Sequence, residues 1–70
     1  MRASELHDMT DVELEQRLNE LYQERFNLRF QMASKQLENT GRVKAVRREI
    51  AQILTIQRER ELEAEVGDAS

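Results

Sequence analysis

The 70-residue chain contains no cysteine, no proline and no tryptophan, and only two glycines and three aromatic residues. Without cysteine there is neither a disulfide framework nor a thiolate metal site, a usage that fits a reducing compartment. His7 is the only histidine and cannot build a zinc centre alone. No run approaches the ~18 apolar residues that a bilayer span needs. The opening Met1-Arg2-Ala3-Ser4-Glu5 lacks the apolar stretch of a signal peptide. These absences predict a soluble, cytoplasmic protein with no membrane partner. Catalytic motifs are missing too. Gly41 is isolated, so there is no phosphate loop, and Ser4, Ser34 and His7 show no triad arrangement. The carboxylates fall on exposed faces, away from apolar surroundings that would raise a pKa. The expectation is a non-enzyme with no catalytic residue, metal, cofactor or small-molecule substrate.

What the chain has is charge, at 36% of residues, a composition of long helices. The net charge of −3 speaks at first against a nucleic-acid partner, but its distribution reverses that. Residues 1–24 carry −5, residues 25–60 carry +6 and residues 61–70 carry −4. A basic, arginine-rich middle lies between acidic ends, and such asymmetry points to an anionic partner.

Thr10-Asp11-Val12-Glu13 reads as a capping box that opens a helix. Leu14, Leu18, Leu21, Arg25, Leu28 and Met32 then recur at alternating spacings of four and three, the seam of an amphipathic helix. Arg25 interrupts it, and its apolar stem can lie along the seam with its head in water. Asn39 or Thr40 caps a second helix, whose seam is Val43, Val46, Ile50, Ile53 and Gln57, with Leu54 on the flank. The short connection predicts antiparallel neighbours, with Met32 near Val46, Leu28 near Ile50, and Leu21 near Ile53 and Leu54. The predicted fold is all-α: a long antiparallel two-helix hairpin, coiled-coil-like, with a short N-terminal turn and a frayed acidic C-terminus. It forms one domain over about residues 1–65, with helices at about 10–34 and 41–64 and a turn at about 35–40; 66–70 form a disordered tail. One interface of this size leaves the isolated hairpin marginal, so a partner that completes it is expected.

Advancing about 100° per residue places Lys44, Arg47, Arg48 and Arg58 on one face of the second helix, with the small Ala51 and Thr55 between them. Cations flanking a strip of low relief suit a phosphate backbone, and arginine suits phosphate oxygens and the shallow groove edges of structured RNA. On the first helix, Tyr22, Phe26 and Phe30 follow one another at intervals of four, beside the leucine seam, with Arg29 adjacent. Such a row calls for a cover. Two readings stand: the N-terminal segment folds Leu6 and Met9 back over it, or it is a docking strip for a neighbouring protein or for RNA bases.

Three stretches are recognisable: Leu28-Arg29-Phe30-Gln31, Gln36-Leu37-Glu38-Asn39, and Arg42-Val43-Lys44-Ala45-Val46-Arg47-Arg48-Glu49-Ile50-Ala51-Gln52-Ile53-Leu54-Thr55. Together with Glu5-Leu6, Met9-Thr10 and Glu13-Leu14, they resemble the bacterial ribosomal protein L-twenty-nine family over about residues 1–62. The resemblance implies a structural protein of the large ribosomal subunit. It would bind large-subunit (23S) rRNA near the exit of the nascent-peptide tunnel, beside ribosomal protein L-twenty-three, in the region where trigger factor and signal recognition particle dock. On that resemblance Lys44, Arg47, Arg48, Thr55 and Arg58 become rRNA contacts, with Arg29, Gln36, Asn39 and Arg42 as further candidates. Tyr22, Phe26 and Phe30 become a contact with rRNA or with the protein neighbour. The rival readings are an antiparallel coiled-coil dimer without RNA and a small helical enzyme with an arginine-lined site.

Overall fold

The structure, a computed structural model, describes residues 2–35 and 40–69, with side chains through position 65. It consists of α1 (Ala3–His7), α2 (Asp11–Ala33) and α3 (Thr40–Ala69). No strand occurs among the described residues, and the two long helices pack against each other, which makes the all-α hairpin a finding. Where a short turn was expected, the N-terminus forms a five-residue helix.

α2 is capped at Thr10 as predicted, with one half of the capping box formed. Thr10 holds extended backbone, and its hydroxyl accepts from the Glu13 amide at 3.2 Å, satisfying one of the amides that the first turn leaves without a partner. The Glu13 carboxylate accepts from that hydroxyl at 3.1 Å. Asp11 and Glu13 also place negative charge at the positive end of the helix dipole. At the other end the Ser34 hydroxyl donates to the Phe30 carbonyl at 3.0 Å. Lys35 then turns the chain with φ 58°, a left-handed conformation that disfavours a residue with a Cβ. The expected turn residues Gln36 and Asn39 lie outside the described residues.

Interhelical ion pairs fix the antiparallel register. Arg17 meets Glu49, Glu24 meets Arg42, and Asp11 meets Arg60. These pairs set Leu21 level with Val46 and not with Ile53 and Leu54, and they separate Leu28 from Ile50 and Met32 from Val46, although the seams alone suggest all of these neighbours. The reason is the spacing itself: a heptad seam looks the same after a slide of about seven residues, so apolar periodicity leaves the register open until charges select one.

The core comprises Leu6, Leu14, Leu18, Leu21, Leu28, Val46, Ile50, Ile53 and Ile56, with Met9 and Val43 packed against it. The buried set differs from the predicted seams and flank at three positions. Met32 is 51% exposed and Leu54 44% exposed, whereas Ile56, absent from the predicted seam, is buried. Met32 is exposed because the register leaves it beyond the start of α3, while Ile56 is buried through α1, which packs on α3 and adds Leu6 to the core. A two-helix seam would turn Ile56 towards solvent; a third element rotates the buried arc towards it.

Arg60 secures this corner. Its Nη2 donates to the carbonyls of His7 at 3.1 Å and Met9 at 2.8 Å, and its Nη1 to Asp11 at 2.6 Å. Thus one side chain of α3 ties α1, the connecting turn and the start of α2. α3 continues to Ala69, past position 64 where the sequence pattern ended it. The molecule measures 54 × 19 × 16 Å, with a radius of gyration of 15.0 Å, against about 11 Å for a compact chain of this length. It is a rod, which offers faces rather than an interior.

Candidate nucleic-acid interface

The two lateral edges of the hairpin carry opposite electrostatic arrangements. Relative to the leucines of α2, Arg17 and Glu24 lie to one side and Arg25 and Arg29 to the other; on α3, Glu49 and Arg42 correspond to the first side and Val43 and Arg47 to the second.

The first edge is closed by ion pairs. Arg17 donates through Nε and Nη2 to the two oxygens of Glu49, at 3.3 and 2.9 Å. Glu49 is only 5% exposed, a burial that apolar periodicity does not predict for a carboxylate. Burial alone pushes its carboxyl upward; the hydrogen bonds from Arg17 and nearby positive charge outweigh this and hold it below its ordinary value. Arg42 binds both oxygens of Glu24, through Nη2 at 2.6 Å and through Nε, and the hydrogen bonds from Arg42 lower the Glu24 carboxyl. Arg42, named as a candidate RNA contact, is therefore engaged in holding the hairpin.

The second edge is open. Arg25, Arg29 and Arg47 line a groove whose floor is Leu28, Met32 and Val43. None of these arginines forms an ion pair among the described residues. The guanidinium carbon of Arg25 lies 5.1 Å from the centre of the Tyr22 ring, a cation–π contact. In the sequence Arg25 interrupts the leucine seam; in the hairpin it is part of a cationic groove shared by both helices. Its position four residues before Arg29 was the available signal.

The outward face of α3 carries the predicted stripe. Lys44, Arg47 and Arg48 are exposed and have no ion pair among the described residues. Arg58 is also exposed but pairs with Glu61 at 3.0 Å. Thr55 turns its hydroxyl back to the Ala51 carbonyl at 2.8 Å, which leaves no donor standing proud between the cations. Beside this low strip runs α1: Ala3 and His7 share a shallow groove with Arg48, Ala51 and Thr55.

The aromatic row is bare over most of its length. Phe26 is 72% exposed, Phe30 67% and Tyr22 36%. Leu6 and Met9 do not cover it, because they pack into the core through α3; of the two readings of this row, cover by the N-terminal segment is thus overturned. Of the predicted contacts, the fold brings Arg47 beside Arg29 in the open groove, keeps Lys44 and Arg48 exposed on the outward side of α3, leaves Arg58 and Thr55 further along the rod, and assigns Arg42 to the opposite edge. Among the described residues no group of His, Cys, Asp or Glu could hold a metal ion, and no helix is long and apolar enough to cross a membrane.

The elongated helical hairpin thus carries cations without ion pairs among the described residues on one edge and along one outward face. Residues 4–60 match the family described as Ribosomal L29 protein, and the chain belongs to that family. It is 58% identical over 62 residues to the large ribosomal subunit protein uL29 of Alkaliphilus metalliredigens, an alignment covering 89% of this chain and 92% of that one. It is 53% identical over 64 residues to the protein of the same name from Geobacillus stearothermophilus, covering 91% and 97% of the two chains. With the Streptomyces avermitilis protein it shares 54% identity over 69 residues, covering 99% and 93%. These relatives are ribosomal structural proteins and not enzymes, and neither is this chain an enzyme.

Proposed function

We propose that this protein is a structural constituent of the cytoplasmic large ribosomal subunit that binds 23S rRNA near the nascent-peptide tunnel exit. The observation that carries the RNA contact is the group of exposed cations Lys44, Arg47 and Arg48, without ion pairs among the described residues. Each phosphate neutralised by such a group releases counterions, so affinity is salt-dependent. The shape of the rod gives the fit, and the contact is to backbone more than to base edges. The tunnel-exit location, ribosomal protein L-twenty-three as neighbour, and trigger factor and signal recognition particle as visitors rest on the family resemblance.

The test is sedimentation of a tagged copy from a cell lysate at low and then moderately high salt. Co-migration with the large subunit that survives moderate salt is the expected result. Recovery near the top of the gradient, as a free dimer, would favour the coiled-coil reading. That reading is weakened by the heptad seams, which α2 and α3 bury against each other within one chain.

A further inference from the structure

The open edge and the aromatic row beside it are adjacent features of α2. Going round the helix, the interhelical groove comes first, then the row of Arg25 and Arg29, then the row of Phe26 and Phe30. Each phenylalanine follows an arginine in sequence. The two rings are one helical turn apart, about 6 Å along the axis. Neighbouring bases can both be served at that distance once they are pulled out of a regular stack. Across the groove Arg47 of α3 joins the arginines. Among the described residues no carboxylate lines this groove or the hollow formed by Tyr22, Gln23, Phe26 and Asn27. Tyr22 already has Arg25 over its ring, so the free π-faces are those of Phe26 and Phe30.

Bare rings alone would not name an occupant. Charge does: Arg25 and Arg29 border the rings and Arg47 lies across the groove, none with an ion pair among the described residues. No acid among the described residues lines this side, which matches a polyanion that also carries flat apolar faces. A duplex shows its phosphates but hides its base faces in the stack. Single-stranded nucleic acid offers both, and aromatic platforms flanked by cations hold it without regard to sequence. We propose that this face of α2 is a platform for unpaired rRNA nucleotides, with phosphates on Arg25, Arg29 and Arg47 and bases stacked on Phe26 and Phe30. It is a second contact surface, distinct from the stripe of α3, which takes backbone. The proposal rests on the rRNA-binding reading above.

The experiment uses the full-length chain and three probes: a labelled uridine-rich single strand, a labelled RNA duplex and 23S rRNA. Replacing Phe26→Ala or Phe30→Ala lowers single-strand affinity by at least about fivefold for each ring, with duplex affinity unchanged. Both rings are exposed, so helix content by circular dichroism stays at the native level. The double replacement by Tyr restores single-strand binding. Lys44→Glu with Arg48→Glu gives the converse pattern, weakening the duplex more than the single strand. Tyr22 is the only tyrosine in a chain without tryptophan, so its emission reports directly: the single strand quenches it in the native protein and not in the double alanine variant. Native single-strand affinity in that variant overturns the platform. If it also enters ribosomes poorly, the rings serve a protein contact instead, which equally overturns the proposal. The rRNA reading fails separately, if the native chain binds neither 23S rRNA nor the duplex.

Discussion

Removing the guanidinium of Arg17 tests how much of the hairpin depends on its closed edge. Glu49 is nearly buried, its side chain 6% exposed, while that of Arg17 is 26% exposed. Breaking a buried pair by deleting one partner costs about 3–5 kcal/mol, because a charge is left without compensation. Arg17 reaches solvent, so part of the lost interaction is recovered by water, and we expect Arg17→Met to cost about 2–3 kcal/mol. For a domain of this size that lowers Tm by on the order of 10–20 °C. A paired replacement, Arg17→Met with Glu49→Leu, removes the buried charge as well and returns most of the loss. Thermal melts followed by circular dichroism at neutral pH measure all three proteins. An Arg17→Met melt within a degree or two of the native one would refute the reasoning, as would a paired variant less stable than the single one. The same edge sets a pH dependence. The carboxyls of Glu49 and Glu24 are both held below their ordinary value in the folded state. Their contribution is complete above the ordinary carboxylate pKa of 4.5 and is lost as pH falls through the lowered folded values. The native protein is therefore expected to lose stability on acidification below that point, and the paired variant to lose less.

Two further outcomes follow from local geometry. Lys35 is left-handed at the end of α2, so Lys35→Gly should raise stability by about 0.5–1 kcal/mol in urea titrations, the relief of a Cβ clash less the extra freedom of the unfolded chain. Arg60→Ala removes the donors to His7, Met9 and Asp11, so amide exchange should accelerate across residues 3–9 while the paired stretches of α2 and α3 keep their protection; uniform acceleration would mean that α1 is not a separate unit.

Features set by neighbours in sequence were legible before the structure. The cap at Thr10 is one, since its geometry needs only four consecutive residues. The leucine positions of α2 are another, because one periodic stripe against one partner decides them. The outward stripe of Lys44, Arg47 and Arg48 also followed from helical angle alone. What was not legible depends on which residues meet across the hairpin. The register differs by a heptad or more because apolar spacings of three and four do not distinguish such slides. Ile56 and Glu49 became buried through α1 and Arg17, partners distant in sequence. Arg42 looked like a free cation until Glu24 was found opposite it, and Arg25 looked like a defect until Arg47 completed its groove. In each case the missing information was a tertiary neighbour, not a propensity.

A net charge of −3 is a poor guide to what this rod attracts, because its charges are spread along 54 Å. At physiological salt the field of an exposed charge decays over about 8 Å. Glu63 and Glu65 lie fifteen or more residues beyond Arg48 on the same helix, which is over about 20 Å at the helical rise. Their effect on a phosphate at Arg48 is screened. Glu61 differs, since it holds Arg58 at 3.0 Å and competes with RNA for that guanidinium. The pair is exposed and worth at most about 1 kcal/mol. Glu61→Gln should accordingly raise affinity for an RNA duplex by about two- to fivefold, while Glu63→Gln with Glu65→Gln changes it by less than about twofold at physiological salt. At about 0.01 M salt the screening distance grows to about 30 Å, and the paired replacement should then begin to strengthen binding. Equal effects of the two changes at physiological salt would mean that RNA senses the chain's total charge and not the local arrangement of its cations.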